Sequence, residues 1–522
     1  MLDILIRGGT VLDGSGQPGV LADVGIEGDR IVAVEPLPGA MAHTVIDATG
    51  LTVAPGFIDI HTHSDFTLLV DGRADSAVCQ GVTTEVVGQC GFSAAPLGEP
   101  PDPSQMLGHL EAGVALDWRS FGGYLDRLQQ ARPAVNVAAL VGHGALARAA
   151  GDGGPARMEA LTEAAFDEGA WGLSTGLEYW PGNVADPAEI DRLAAAAGRR
   201  GRLYATHVRN RDVHIERGLA EALRTARSAG ARLQISHIQP KFGAPPGAMP
   251  AALAQLDAAE ADGVDVAFDV IPHEWSHTVV VSCLPAWARE GGAPATLARL
   301  KDPAQRERLA HNPNPIWRLV PEQRWERIVL LQSQAHPELV GLNFVEIAAR
   351  LQTRPFDAVL DLLLAEGEGL AQLLWTARNF EDADICLCLR DRRCSVMSDT
   401  LSVSTRGPLA GVIGSLSGYG WTARLLGGYA RERGVLPLAE AVHRISGRPA
   451  ARLGLADRGL LRRGACADVV VFDAGAVDDR ATAVQPQVHP AGFAHVIVNG
   501  VFVLRDGQRN DERPGRVLRC GG

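Results

Sequence analysis

The sequence predicts an α/β protein: a (β/α)8 TIM-like barrel with a small β-sandwich built from both chain termini and an insertion after strand seven. Three observations lead there. Between about 54 and 450, short β-like runs alternate with longer Ala-, Leu- and Arg-rich helical runs such as Pro187 to Arg200 and His214 to Ala229, the order of a parallel sheet. Eight strand candidates fall in that span, and eight strands close such a barrel. The two ends read differently, alternating apolar and polar residues between glycine-containing turns.

In chain order, the alternating stretches are Leu2 to Gly14, Ala22 to Val34, Ala467 to Asp473 and His495 to Gly507. An isolated strand pair is not stable, so both ends are expected in one sandwich, its first part at 1–53 and its second at 450–522. The barrel is expected over 54–449, with strands at Gly56–His61, Thr83–Gly88, Val135–Val141, Trp171–Thr175, Leu203–His207, Leu233–His237, Val264–Val270 and Cys394–Ser398. The extra length lies mainly at 285–380, where a helical pattern and little else is visible. Following strand seven, it starts on the catalytic face of a barrel, and we read it as a lid.

Composition narrows the function. Hydrophobic residues make up 46% and charged residues 21% of the 522, which excludes disorder and collagen-like repeats. The net charge is -12, and basic residues do not gather in stripes, which argues against nucleic-acid and membrane partners and for a small-molecule substrate. The start carries no signal-peptide pattern and no apolar run approaches membrane-spanning length, so a cytoplasmic location is expected. Assembly into a homo-oligomer is left open. The eight cysteines show no repeating spacing and form no disulfide framework.

The chemistry collects at strand ends. Strand one closes in Asp59-Ile-His61-Thr-His63, and histidines two apart on a strand point to the same side and can reach one ion. Strand five ends at His207-Val-Arg209, strand six at His237 and strand eight at Ser398-Asp399-Thr400, all on the face where barrel active sites are built. His43, His109, His214, His311, His336, His443, His489 and His495 have no such context and read as packing or solvated residues. His143, after strand three, reads as a supporting or substrate-side residue rather than a metal ligand. Cys386, Cys388 and Cys394 lack a fourth ligand at ordinary spacing and are not read as a second metal site.

Together these segments resemble the amidohydrolase superfamily, in its N-acyl-D-amino-acid deacylase (D-aminoacylase) branch. Besides the strand ends, the matching stretches are Gly81-Val-Thr-Thr-Glu-Val-Val-Gly-Gln-Cys90-Gly, Gly172-Leu-Ser-Thr-Gly-Leu and Gly464-Ala-Cys-Ala-Asp-Val-Val-Val-Phe-Asp. The resemblance implies one tight Zn²⁺ held by His207, His237 and Cys90, with His61, His63 and Cys90 available to a second, weaker one. Relatives that join two metals through a carboxylated lysine do so at the end of strand four, where this chain has none; its lysines are Lys241 and Lys301. Cys90 matches the bridging cysteine of the deacylases, and a thiolate is a good zinc ligand. Asp399 matches their proton carrier.

The substrate side departs from the branch. Its lysine two residues after the strand-six histidine is Gln239 here, and its Tyr-Pro-Tyr after strand seven is Ile271-Pro-His273, followed by His277. Tyr179 matches the tyrosine after strand four. Arg209 or Lys241 is left to supply charge for a substrate carboxylate. The expected function is zinc-dependent hydrolysis of a non-peptide C–N bond in an N-acyl-D-amino acid or related N-acylated amine. The alternatives are a cyclic-amide or lactone hydrolase and a metal-free assembly protein.

Overall fold

The computed structural model describes residues 1–99, 114–311 and 317–521; the packing role read for His109 falls outside them. Eight parallel strands follow one another around the barrel. They are Phe57–Asp59, Val82–Val87, Asn136–Ala139 continued by Val141–Gly142, Gly172–Gly176, Leu203–His207, Arg232–Ile235, Val266–Val270 and Cys394–Val396. Each pairs in parallel with the next. The last meets the first through the Asp399 amide, which donates to the His61 carbonyl at 3.1 Å. Alternation within a strand sorts its two faces: Leu203 and Ala205 join the barrel interior with Ile58, Val86 and Met397, while Tyr204 packs outward among the helices.

Both termini enter one nine-stranded sheet. Thr52–Pro55 joins them, pairing in parallel with Leu2–Val11 and antiparallel with Val469–Phe472. Val469–Phe472 is apolar throughout because it is covered on both faces. Val469 and Val471 pack with Ile4, Ile6 and Ile26 inside the terminal unit, whereas Val470 and Phe472 pack against the outer layer of the barrel. A bridge between Arg30 and Cys466 ties the far edge back, so the expected sandwich is a single sheet curled around its own core.

Two features differ from the sequence reading. Val517–Leu518 does not join the terminal sheet but pairs in parallel with Asn136–Ala139. Strand three is interrupted at Leu140, and the open edge below the break takes up the tail, whose Leu518 carbonyl accepts from Trp171 Nε1 at 2.6 Å. The insertion begins ahead of the expected residue 285, because Trp275–Val279 pairs with Leu374–Arg378, and it is not only helical. It contains an antiparallel sheet of Trp275–Val279, Leu374–Arg378 and Ile328–Gln332 around a separate core that includes Val280, Leu330, Phe344 and Trp375. A short run such as Ile328–Gln332, apolar up to its last residue, carries no periodicity that tells strand from buried helix. Among the described residues no helix is long and apolar enough to cross a membrane.

Candidate active site

Strand ends one, two, five, six and eight bring their polar side chains to one point at the barrel mouth. Strand two stops at Val87, and the chain turns sharply through Gly88 and Gly91, both at positive φ. A Cβ on Gly88 would lie 2.0 Å from the Leu140 carbonyl oxygen, so only glycine lets this turn pass strand three. The turn lifts Cys90 into the centre. Its Sγ lies 3.3 Å from His61 Nε2, 3.2 Å from His237 Nε2 and 3.8 Å from His207 Nδ1. His207 Nδ1 is 3.0 Å from His237 Nε2. Asp399 Oδ1 closes the group at 3.2 Å from both His61 Nε2 and His63 Nε2.

Three of these residues are held in the left-handed backbone region: Cys90 at φ 51°, His237 at φ 36° and Asp399 at φ 53°. Each such conformation costs a non-glycine residue about 1–3 kcal/mol and persists only where the surroundings impose it. Strain on three members of one cluster marks it as the place where position matters more than stability.

The cluster has the dimensions of a zinc site. Zinc–sulfur and zinc–nitrogen distances of about 2.3 and 2.0–2.1 Å in a tetrahedron give S···N edges near ~3.6 Å and N···N edges near ~3.3 Å. The observed S···N contacts of 3.2–3.8 Å bracket the first value, and the N···N contact of 3.0 Å is slightly shorter than the second. His61, Cys90, His237 and Asp399 each place one ligand atom within 4.8 Å of the others. The donor set of a thiol and imidazoles suits zinc.

Electrostatics point the same way. Burial alone would push the Cys90 thiol up, but His61 and His237 outweigh it and hold the group well below its ordinary range. Burial opposes a charge on His63, yet Asp399 and Cys90 raise it to about 9. Against the same burial, His237, His61 and His63 keep Asp399 well below the usual carboxylate range.

Outside the cluster, carboxylates fix the imidazoles. Asp269 Oδ1 accepts the His237 amide at 2.5 Å and lies 3.5 Å from His61 Nδ1, while its Oδ2 accepts Gln234 Nε2 at 2.8 Å. Glu178 Oε2 meets His207 Nε2 at 2.8 Å, and its other oxygen pairs with Lys241 Nζ. Burial would raise the Glu178 carboxyl, but Lys241 and His207 hold it far below its usual range. Sequence reasoning passed over both acids. Asp269 had a signal, as a lone carboxylate in the apolar strand Val266–Val270; Glu178 had only its place beside Tyr179.

The substrate-side residues divide. The Tyr179 ring packs edge-on against His207 with centroids 4.6 Å apart. His277, in the first strand of the insertion, lies near enough to feel Asp399 and His63, and burial holds its imidazole down to about 4. His273 is buried, its Nδ1 bonds to nothing among the described residues, and burial pushes it down to about 3. His143 Nε2 is 2.8 Å from Glu189, which takes up that nitrogen.

Three expected substrate contacts are taken up elsewhere. Gln239 is fully buried, donating to the Ile271 carbonyl at 2.7 Å and accepting the Ile271 amide at 3.0 Å, so its amide braces the turn after strand seven. Arg209 forms a two-pronged pair with Glu221 at 2.9 Å and donates to the Gly182 and Asn183 carbonyls. Lys241 is paired with Glu178. Arg211, which sequence reasoning did not single out, is buried beside His237 and donates to its carbonyl at 2.7 Å.

A model of the amidohydrolase family matches residues 44–504. Over 99% of its length this chain is 36% identical to an N-acyl-D-glutamate deacylase and 35% identical to a D-aminoacylase, both of Alcaligenes xylosoxydans xylosoxydans, covering 96% and 97% of those proteins. The crystal structure of N-acyl-D-glutamate deacylase from Bordetella bronchiseptica, complexed with zinc and a phosphonate inhibitor mimicking the tetrahedral intermediate, superposes with a TM-score of 0.82 at 33% identity, covering 99% of each chain.

Proposed function

The chain belongs to the amidohydrolase family, and on that premise we propose that it is a zinc-dependent deacylase that hydrolyses the amide bond of an N-acyl-D-amino acid. The observation that carries this reading is Cys90 Sγ at 3.2–3.8 Å from three imidazoles, with Asp399 bound to the same group. His207, His237 and Cys90 would hold the tighter ion, and His61, His63 and Cys90 offer a second position.

Bound zinc supplies a Lewis acid for the acyl oxygen and brings the pKa of a water molecule to roughly 7. The rest is the work of the chain. Asp399, kept ionised by its histidine neighbours, accepts the proton that the attacking water loses as its oxygen adds to the acyl carbon. An amine cannot leave as an anion, so Asp399 returns that proton to the nitrogen, the C–N bond breaks, and a carboxylic acid and a free amino acid result. Asp269 and Glu178 keep His237 and His207 in place, a support whose loss typically weakens metal binding 10–100-fold by order of magnitude. Tyr179 and His277 flank the cluster from the strand-four loop and the insertion, positioned to offer neutral donors to the substrate. We read the insertion as the lid that brings His277 to the site.

The test is a hydrolysis panel with the zinc-loaded enzyme: N-acetyl-D-glutamate, N-acetyl-D-aspartate and N-acetyl-D-leucine, their L-enantiomers, a hydantoin and a lactone. Release of acetate from a D-substrate at least tenfold faster than from its L-partner is expected. Preferred opening of either ring would instead identify a cyclic-amide or lactone hydrolase.

A further inference from the structure

The carboxylate carbon of an N-acyl amino acid is three bonds from the acyl carbon, within about 4 Å of it. A side chain that recognises that carboxylate must therefore adjoin the cluster. Among the basic residues on the segments leaving strands five and six, Arg209 is committed to Glu221 and two carbonyls, and Lys241 to Glu178. Gln239, at the position where the family resemblance placed a cation, is neutral and locked on Ile271. Arg211 is different. It is 7% exposed, its Nη1 is anchored on the carbonyl of His237 at 2.7 Å, and its buried Nε finds no acceptor among the described residues. The Phe380 ring lies 5.8 Å from its guanidinium carbon. Among the described residues no carboxylate pairs with it. Glu178, close enough to feel its charge, is shared between Lys241 and His207.

A buried guanidinium without a counter-charge is expensive to desolvate, and such groups are ordinarily paired. Here the missing partner fits an anion arriving from outside. We infer that Arg211 is the specificity-determining residue that holds the substrate carboxylate, replacing the cation absent at Gln239. This rests on the deacylase reading and deepens it: the substrate is an N-acyl amino acid with a free α-carboxylate, not a neutral N-acylated amine. The planar fork of arginine suits a carboxylate, and its attachment to His237 ties carboxylate binding to the position of a zinc-binding histidine.

The experiment compares the N-acetyl-D-amino acid hydrolysed fastest in the panel with its α-carboxamide, in wild type, Arg211→Met, Arg211→Lys and Lys241→Met, with zinc content measured on each preparation. Arg211→Met is expected to lower kcat/KM for the carboxylate substrate by about ten- to a hundredfold, mainly through KM, and to leave the carboxamide within about threefold. Arg211→Lys should recover part of the loss. Lys241→Met should affect both substrates alike. An equal fall on both substrates in Arg211→Met would make Arg211 a structural brace of His237 and overturn the inference, as would a selective loss in Lys241→Met. If no N-acetyl-D-amino acid is hydrolysed by wild type, the deacylase reading itself fails; retained calorimetric binding of N-acetyl-D-leucine that Arg211→Met abolishes would still support a carboxylate site.

Discussion

Glu178 joins a metal-binding imidazole to a buried cation, so removing it has two separable effects. Its side chain is 16% exposed and that of Lys241 6%, which leaves little solvent to screen the pair. Glu178→Ala takes from Lys241 the carboxylate that neutralises it, a change that costs about 3–5 kcal/mol in buried pairs. It also takes from His207 Nε2 the acceptor that orients the ring, which is expected to weaken zinc binding about 10–100-fold, roughly 1.4–2.7 kcal/mol. Urea denaturation of metal-free protein reads the first effect, and zinc competition against a chelator reads the second. Glu178→Ala combined with Lys241→Met should regain most of the stability, because the buried charge is gone, while keeping the zinc deficit. Glu178→Gln, which retains an acceptor for His207, should keep zinc affinity closer to wild type than Glu178→Ala does. Wild-type zinc affinity in Glu178→Ala would refute the support of His207, and an unchanged denaturation midpoint would refute the value assigned to the ion pair.

Asp399→Asn cannot carry the proton, so kcat should fall at least about a hundredfold while zinc remains bound, measured by steady-state kinetics beside metal content; turnover within a few-fold of wild type would assign the relay elsewhere. Gln239→Lys breaks two hydrogen bonds to Ile271 and buries an ammonium, so it should lower stability by about 2–4 kcal/mol by denaturation and bring no gain on N-acetyl-D-amino acids. Hydrogen exchange in Trp275–Val279, which carries His277, should slow with a substrate analogue bound more than exchange in the barrel helix Ile215–Ala229; equal protection would make the insertion a static element.

Much of this organisation is legible in the residues. The eight barrel strands sit where alternation and length place them, because each is a short apolar run bounded by helical stretches. The strand ends bearing His61, His63, His207, His237 and Asp399 converge because the barrel points every strand in one direction. What was not legible depends on the backbone between strands. The strands of the insertion are five residues each, too short for periodicity to tell them from helix. Val517–Leu518 pairs with the barrel only because strand three breaks at Leu140. Gln239, Arg209 and Lys241 have the right chemistry for a carboxylate and the wrong partners, since Ile271, Glu221 and Glu178 reach them first. Arg211, two residues beyond Arg209, is set apart only by what fails to pair with it.

The central claim, a zinc site centred on Cys90 that hydrolyses an acyl amide, is tested most directly by reconstitution. Metal-free wild type and Cys90→Ala are titrated with zinc, and bound metal and acetate release from the best N-acetyl-D-amino acid are followed together. The wild type should regain activity in step with the first equivalent of zinc, while Cys90→Ala, folded by circular dichroism, should bind little and stay inactive. Tight binding of one equivalent and wild-type turnover in Cys90→Ala would contradict the account.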